Sequence, residues 1–445
     1  MIDFSLARDA SGKVAELQYD DNEDGTPERI HRLADYANES VPHLIILLDS
    51  IPFDEVAKRY DAGEFRWFDR PQKVIPPFPT ISEQIFTKIL QCPPLPGMID
   101  DSYDARTSRY HHGIVERAEG YHQPWEYRCN YVAGYTEASL SYVDPRGLFR
   151  KELELAKRAF DNSPDRVTVV YFVSASPMVC KYGQQGCAEV LDQIQQLCVQ
   201  LLYERQGALK ISMCADHGHN FMPSTNVQFD DVLKRAGFHV TNNVREDQDV
   251  AIERDGLVTY LGIHTLTPAK VADAVLTRNE VELVTYLEKN RVIVRDHEGA
   301  ASIECHAGRY KYTPITRDVL KLDETIEKLR AAGKVSTDGF VADEDFFTAT
   351  VDAEFPDAPH RLWEAFHGLC ISPPEVMLTM RDGFCSGHTT LEKFIKMASS
   401  HGGLNQINSA TFLMTMTGRA SKPLRSEDII PTVAPGYVLP VRMNR

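Results

Sequence analysis

Hydrophobic and polar positions follow three rhythms along this chain. The first is the short unbroken apolar run. His43-Leu44-Ile45-Ile46-Leu47-Leu48 ends in Asp49, Val167 to Val173 is a second such run, and Leu209 to Cys214 a third, closing on Ala215-Asp216-His217-Gly218. Runs of this length predict strands buried on both faces, as in a parallel sheet. Glu375 to Met380, after Pro373-Pro374, is a further strand of the same kind.

The second rhythm is helical. Val190, Ile194, Leu197 and Leu201 place a helix over Ala188 to Tyr203, and residues 318–333 read as a charged helix, a candidate lid or cap. Strand, helix, strand implies a right-handed crossover between parallel strands. The third rhythm is strand and turn: Arg291 to Arg295, a turn at His297-Glu298-Gly299, Ala301 to Cys305, a turn at His306-Ala307-Gly308, then Arg309 to Tyr312. That spacing predicts an antiparallel meander.

These elements imply an α/β fold with a central, mostly parallel sheet flanked by helices and a smaller insertion or cap region. Its expected limits are an amino-terminal extension over 1–40, a main domain over 41–420 with insertions at about 104–150 and 276–350, and a tail over 421–445. Asp20 to Gly25 reads as a solvated acidic loop. In an open parallel sheet, ligands bind beyond the carboxyl ends of the strands. Asp49 and Asp216 stand at such ends.

Composition narrows the choice of partner. The 445 residues carry 48 Lys and Arg against 64 Asp and Glu, a net charge of −16. A nucleic-acid duplex is therefore an unsuitable partner, because phosphate-backbone binding needs a basic face. A small anionic substrate in a local pocket is not excluded. No stretch reaches the roughly 18 apolar residues of a membrane span, and Met1 to Lys13 lacks the layout of a secretory signal. The nine cysteines include no C-x-x-C pair, which fits free thiols in a reduced, cytoplasmic setting. A homodimer is left open.

Several short segments could carry chemistry. Pro79-Thr80-Ile81-Ser82 leads into an apolar helical stretch. Hydroxyls there usually cap the helix, but one at a helix start can also be a nucleophile, since the helix end favours developing negative charge. Cys214-Ala215-Asp216-His217-Gly218-His219 sets a carboxylate beside an imidazole, a donor pair suited to zinc, manganese or iron. The bland alternative is an Asp-capped turn. Ser399-Ser400-His401-Gly402-Gly403 precedes the apolar run Thr411 to Met414. Alone, it reads as a surface histidine beside a glycine turn.

Taken in order, these pieces resemble the alkaline phosphatase superfamily, in particular its nucleotide pyrophosphatase/phosphodiesterase-like branch. The likeness spans about residues 41–105, 165–240 and 350–417. It implies Asp49, Asp216, His217 and His401 as metal ligands and Ser82, with Thr80 as the alternate, as the nucleophile. Pro93 to Met98 and Tyr103-Asp104 look similar to two further family turns. The implied cofactor is Zn2+, one or two ions, with manganese or iron as alternatives.

The family segment that supplies an Asp and a His to the other metal departs here. In that register Ser176 replaces the Asp and Cys180 the His, and Ile85 replaces an Asn. Cys180 remains a candidate ligand, since thiolates bind zinc well, and His219 and His388 are candidates to compensate. The implied function is metal-dependent hydrolysis of phosphoric esters, diester or nucleotide-type, through a Ser82 phosphoenzyme. Two alternatives stand beside it: a non-catalytic relative that binds a ligand, and a phosphonate hydrolase or phosphotransferase. Cys92-Pro93-Pro94-Leu95-Pro96 lacks the Arg that a sulfatase segment needs. Phe78, Tyr103, Tyr110 and Trp125 are candidates to stack a base.

Overall fold

The computed structural model describes residues 3–36, 40–107, 109–254, 256–389, 396–418, 420 and 422–442. The chain divides into two compact units, each assembled from separate stretches of sequence. One comprises Met1–Val74, Pro124–Asp216 and Thr411–Arg445, the other Ile75–Gln123 and His217–Ala410.

In the first unit the three predicted apolar runs lie side by side. His43–Leu48 pairs in parallel with Val167–Phe172 on one edge and Lys210–Ala215 on the other. The first two strands are buried along their whole length, so both faces must be covered, and their near-continuous apolar sequence follows from that. Helix Pro145–Asp161 packs on Val167–Phe172 and on the long helix Ala175–Glu204. The expected helical positions Val190, Ile194, Leu197 and Leu201 are all buried. That helix starts thirteen residues before the predicted Ala188 (188 minus 175) and crosses a kink at Gly183, whose φ of 58° and ψ of −138° are not helical.

The rest of this sheet brings in antiparallel pairs, which corrects the expectation of a mostly parallel central sheet. Thr411–Thr415 joins Lys210–Ala215 antiparallel, Gln72–Ile75 joins Thr411–Thr415 antiparallel, and Leu424–Arg425 ends the six-stranded order. The architecture is mixed α/β. The register decides what the parallel strands present, for Leu48 pairs with both Phe172 and Ala215. All three chains therefore leave the sheet at one level, and the next residues include Asp49 and Asp216.

Residues Asp3–Arg8, Val14–Asp20 and Arg29–Arg32 form a separate three-stranded antiparallel sheet. The acidic loop is exposed except at its first residue: Asp20 is buried and accepts from the main-chain N–H of Asp24 and Gly25.

The second unit is built on a nine-stranded sheet. The meander appears as Arg291–Arg295, Ala300–His306 and Arg309–Pro314, antiparallel throughout, and helix Asp323–Ala331 follows. Val376–Met380 lies in this sheet, antiparallel to both Tyr260–Thr265 and Val281–Glu288. Its resemblance to a parallel strand has a simple origin. Val376, Leu378 and Met380 face one apolar core with Val271 and Val275, while Met377 faces another with Leu362 and Phe366. A strand buried on both faces reads as unbroken apolar sequence whatever its direction.

No helix among the described residues is long and apolar enough to cross a membrane. All nine cysteines are free thiols.

Candidate functional site

In the first unit the matched strand ends bring two buried carboxylates together. Asp216 Oδ1 accepts from the main-chain N–H of Ser50 at 2.9 Å, which places it beside the residue after Asp49. Asp49 Oδ2 accepts from Tyr171 Oη at 2.6 Å, and Oδ1 accepts from Ser50 Oγ at 2.8 Å. Burial, and then the charge of Asp216, push the Asp49 carboxyl well above the usual carboxylate range. Hydroxyls of Tyr171, Ser50 and Ser176 pull the other way. Two ionised carboxyls in so dry a place are costly without positive charge.

Ser176 and Cys180 are four residues apart at the start of helix Ala175–Glu204, with Oγ and Sγ 3.7 Å from each other. Ser176 Oγ is also 3.1 Å from Ser50 Oγ. A nearby buried carboxyl, Glu152, accepts from the N–H of Val173 and Ser174 and from Ser174 Oγ, so it holds this strand-to-helix turn. Burial pushes Glu152 up to about 8.

In the second unit the hydroxyl candidates separate. Thr80 is wholly buried, and its Oγ1 accepts from Gly402 N at 2.9 Å while lying 3.4 Å from Gly403 O. Ser82 opens helix Ser82–Ile89, with Oγ 3.4 Å from His217 Nε2. Gln84 fixes the helix by donating to the carbonyls of Gly97 and Met98.

Three histidines gather beside Ser82. The rings of His217 and His401 stack with centroids 4.0 Å apart, and His219 lies 5.3 Å from His401. His217 Nδ1 meets Gly218 O at 2.9 Å, and His401 Nδ1 meets Thr80 O at 3.1 Å. A carbonyl only accepts, so each Nδ1 carries the proton and each Nε2 keeps a lone pair. Burial lowers His217 to about 4. Burial and then the neighbouring His217 hold His401 well below the ordinary imidazole value. A neutral ring with its lone pair on Nε2 is what a metal ligand or a proton acceptor requires.

The loops bearing these rings are tied together. Asn220 N donates to Ser400 O at 3.1 Å, and Ser400 N returns to Asn220 Oδ1 at 3.0 Å. Asp382 accepts from the side-chain amides of Asn220, Asn405 and Asn408 at 2.9, 3.1 and 2.9 Å. Gly402 has φ +116°, and a Cβ there would come within 3.1 Å of Thr259 N and Val258 Cβ. A side chain is excluded beside His401.

Other sequence candidates fall elsewhere. His388 is half exposed and pairs with Asp101 at 3.3 Å, apart from the histidine group. Phe78 packs edge-on to Tyr260, Tyr103 edge-on to His264 and Trp125 edge-on to Tyr171, while Tyr110 Oη donates to Ile252 O. Ser50 and Tyr171 were not legible as site residues. Ser50 follows a strand-end Asp, the one hint available, and Tyr171 lies inside an apolar strand opposite Leu47.

No family model matches the sequence, and no curated protein does. Solved structures do. The chain is similar to murine ectonucleotide pyrophosphatase / phosphodiesterase 5, at 10% identity and a TM-score of 0.46 over 87% of this chain and 92% of that one. The human protein of the same name gives 10% identity and 0.43 over 88% and 93%. A phosphonoacetate hydrolase from Sinorhizobium meliloti 1021 gives 10% and 0.44 over 91% and 98%. Likeness at that distance carries no chemistry, and the site stands on its own residues.

Proposed function

We propose that the chain is a metal-dependent hydrolase of small phosphoric esters, diester or nucleotide-type, with Ser82 as its nucleophile. The observation that carries this reading is the 3.4 Å separation of Ser82 Oγ and His217 Nε2, with His217 Nδ1 already turned to Gly218 O. Two donors sharing one tetrahedral zinc stand about 3.3 Å apart, given bonds of about 2.0–2.1 Å.

The donor set suits a divalent ion. Asp49 and Asp216 are each buried and each offers a ligand atom, and His217 follows Asp216 directly in the chain. Two carboxylates balance a double positive charge, and burial, then the charge of Asp216, raises the Asp49 carboxyl. Zinc, manganese or iron held by such donors would lower the pKa of a serine nucleophile and offset charge on the phosphoryl oxygens.

The protein's own share is positioning. Ser82 Oγ, freed of its proton, attacks phosphorus, and the ester oxygen leaves as the phosphoseryl bond forms; water then cleaves that bond. The first-turn amides of Ser82–Ile89 favour the negative charge that develops. Thr80 is the weaker candidate because its hydroxyl is engaged with Gly402 N.

Turnover of bis-p-nitrophenyl phosphate tests the proposal. Activity with added zinc or manganese, lost on chelation and in Ser82→Ala, is expected. A well-folded protein that binds ester but never turns it over would favour the non-catalytic alternative.

A further inference from the structure

We propose that this chain holds a single metal ion, and that a row of protein hydroxyls and a thiol stands where the ligands of a second would be. The inference rests on the metal-dependent reading above. The family resemblance implies anionic or imidazole donors to a second ion at positions 176 and 180, where the chain carries Ser176 and Cys180.

Those two side chains are parts of a continuous row. Cys180 Sγ lies 3.7 Å from Ser176 Oγ, Ser176 Oγ lies 3.1 Å from Ser50 Oγ, and Ser50 Oγ donates to Asp49 Oδ1 at 2.8 Å. Ser50 donates to Asp49, the Ser176 hydroxyl also bonds to that carboxyl, and the Cys180 thiol lies against Ser176. The two serine hydroxyls thus converge on one carboxyl group, the best acceptor available. All four residues are buried.

An ion seated among them would have to break this row. It would gain a neutral serine oxygen, a poor ligand, and Cys180, the one new donor able to carry charge. Asp49 differs in kind. Its two oxygens have about four acceptor positions between them, and it stands beside Asp216 on the neighbouring strand end, so the two carboxylates together can serve one ion. The first donor set therefore carries the charge of two carboxylates, and the second brings none without ionising Cys180.

Counting metal decides the matter without reference to activity. The full chain, stripped with EDTA, dialysed against excess zinc and then buffer, is measured by inductively coupled plasma mass spectrometry. One equivalent is expected in the wild type and in Cys180→Ala, and near none in Asp216→Asn. Ser176→Asp combined with Cys180→His is expected to raise the count to two. If that double variant does not fold, as judged by circular dichroism, the Cys180→Ala count still decides. Two equivalents in the wild type, with one lost in Cys180→Ala, would overturn the single-ion inference while leaving the metal-dependent reading intact. No metal in any variant would sink that reading and this inference with it.

Discussion

His217 and His401 stack face to face, their ring centroids 4.0 Å apart and their planes 15° from parallel. Both are buried deeply enough to favour the neutral form, and a proton on one opposes a proton on the other. The pair therefore makes the metal-free protein sensitive to acid. A folded-state value below the unfolded one means that the unfolded chain takes protons the native rings refuse. The stabilising contribution is present above about pH 6.5 and is lost as pH falls toward 4. A drop from 6.5 to about 4 for His217 corresponds to roughly 3 kcal/mol. Urea unfolding of the chelator-treated protein at pH 7 and pH 4.5 should show this loss, and His217→Gln should reduce it. An identical pH response in the variant would contradict the assignment.

Ser82 and Thr80 should fail in opposite ways. Thr80→Val removes the acceptor for Gly402 N in a buried place, a loss of roughly 1–3 kcal/mol. Its thermal midpoint should fall while some turnover survives. Ser82→Ala should keep the midpoint and lose turnover by at least about a hundred-fold, the scale of removing an essential group.

Asp382 anchors both histidine loops through Asn220, Asn405 and Asn408. Asp382→Ala leaves three amides without their shared acceptor and should cost on the order of 3 kcal/mol. A denaturant midpoint unchanged from wild type would show that these amides find other partners.

Glu152 sets a limit on the alkaline side. Its folded value, raised from 4.5 to about 8 by burial, means that the contribution is full below about pH 4.5 and is lost as pH rises through 8. The span corresponds to on the order of 4–5 kcal/mol. Stability measured from pH 5 to 9 should decline in the wild type and stay flatter in Glu152→Gln.

Much of this was legible in the sequence because burial on both faces writes itself as unbroken apolar runs. His43–Leu48, Val167–Phe172 and Lys210–Ala215 were found that way, and with them the strand ends at Asp49 and Asp216. The same signal misled at Val376–Met380, because direction leaves no trace in a doubly buried strand. The start of the helix at Ala175 was hidden by Ser176-Pro177, which reads as loop although proline is tolerated in a first helical turn. Asp382 sits in Arg381-Asp382-Gly383, an ordinary turn on paper. Its role depends on three asparagines far away in sequence, and no local pattern could show that.

The most direct measurement is the covalent one. The protein, supplied with zinc or manganese, is mixed with bis-p-nitrophenyl phosphate, quenched in acid within a turnover, digested and examined by mass spectrometry. A p-nitrophenyl phosphate adduct on the peptide containing Ser82, absent from Ser82→Ala, is the predicted result. Turnover with the adduct on Thr80, or with no protein adduct under the same quench, would contradict the account.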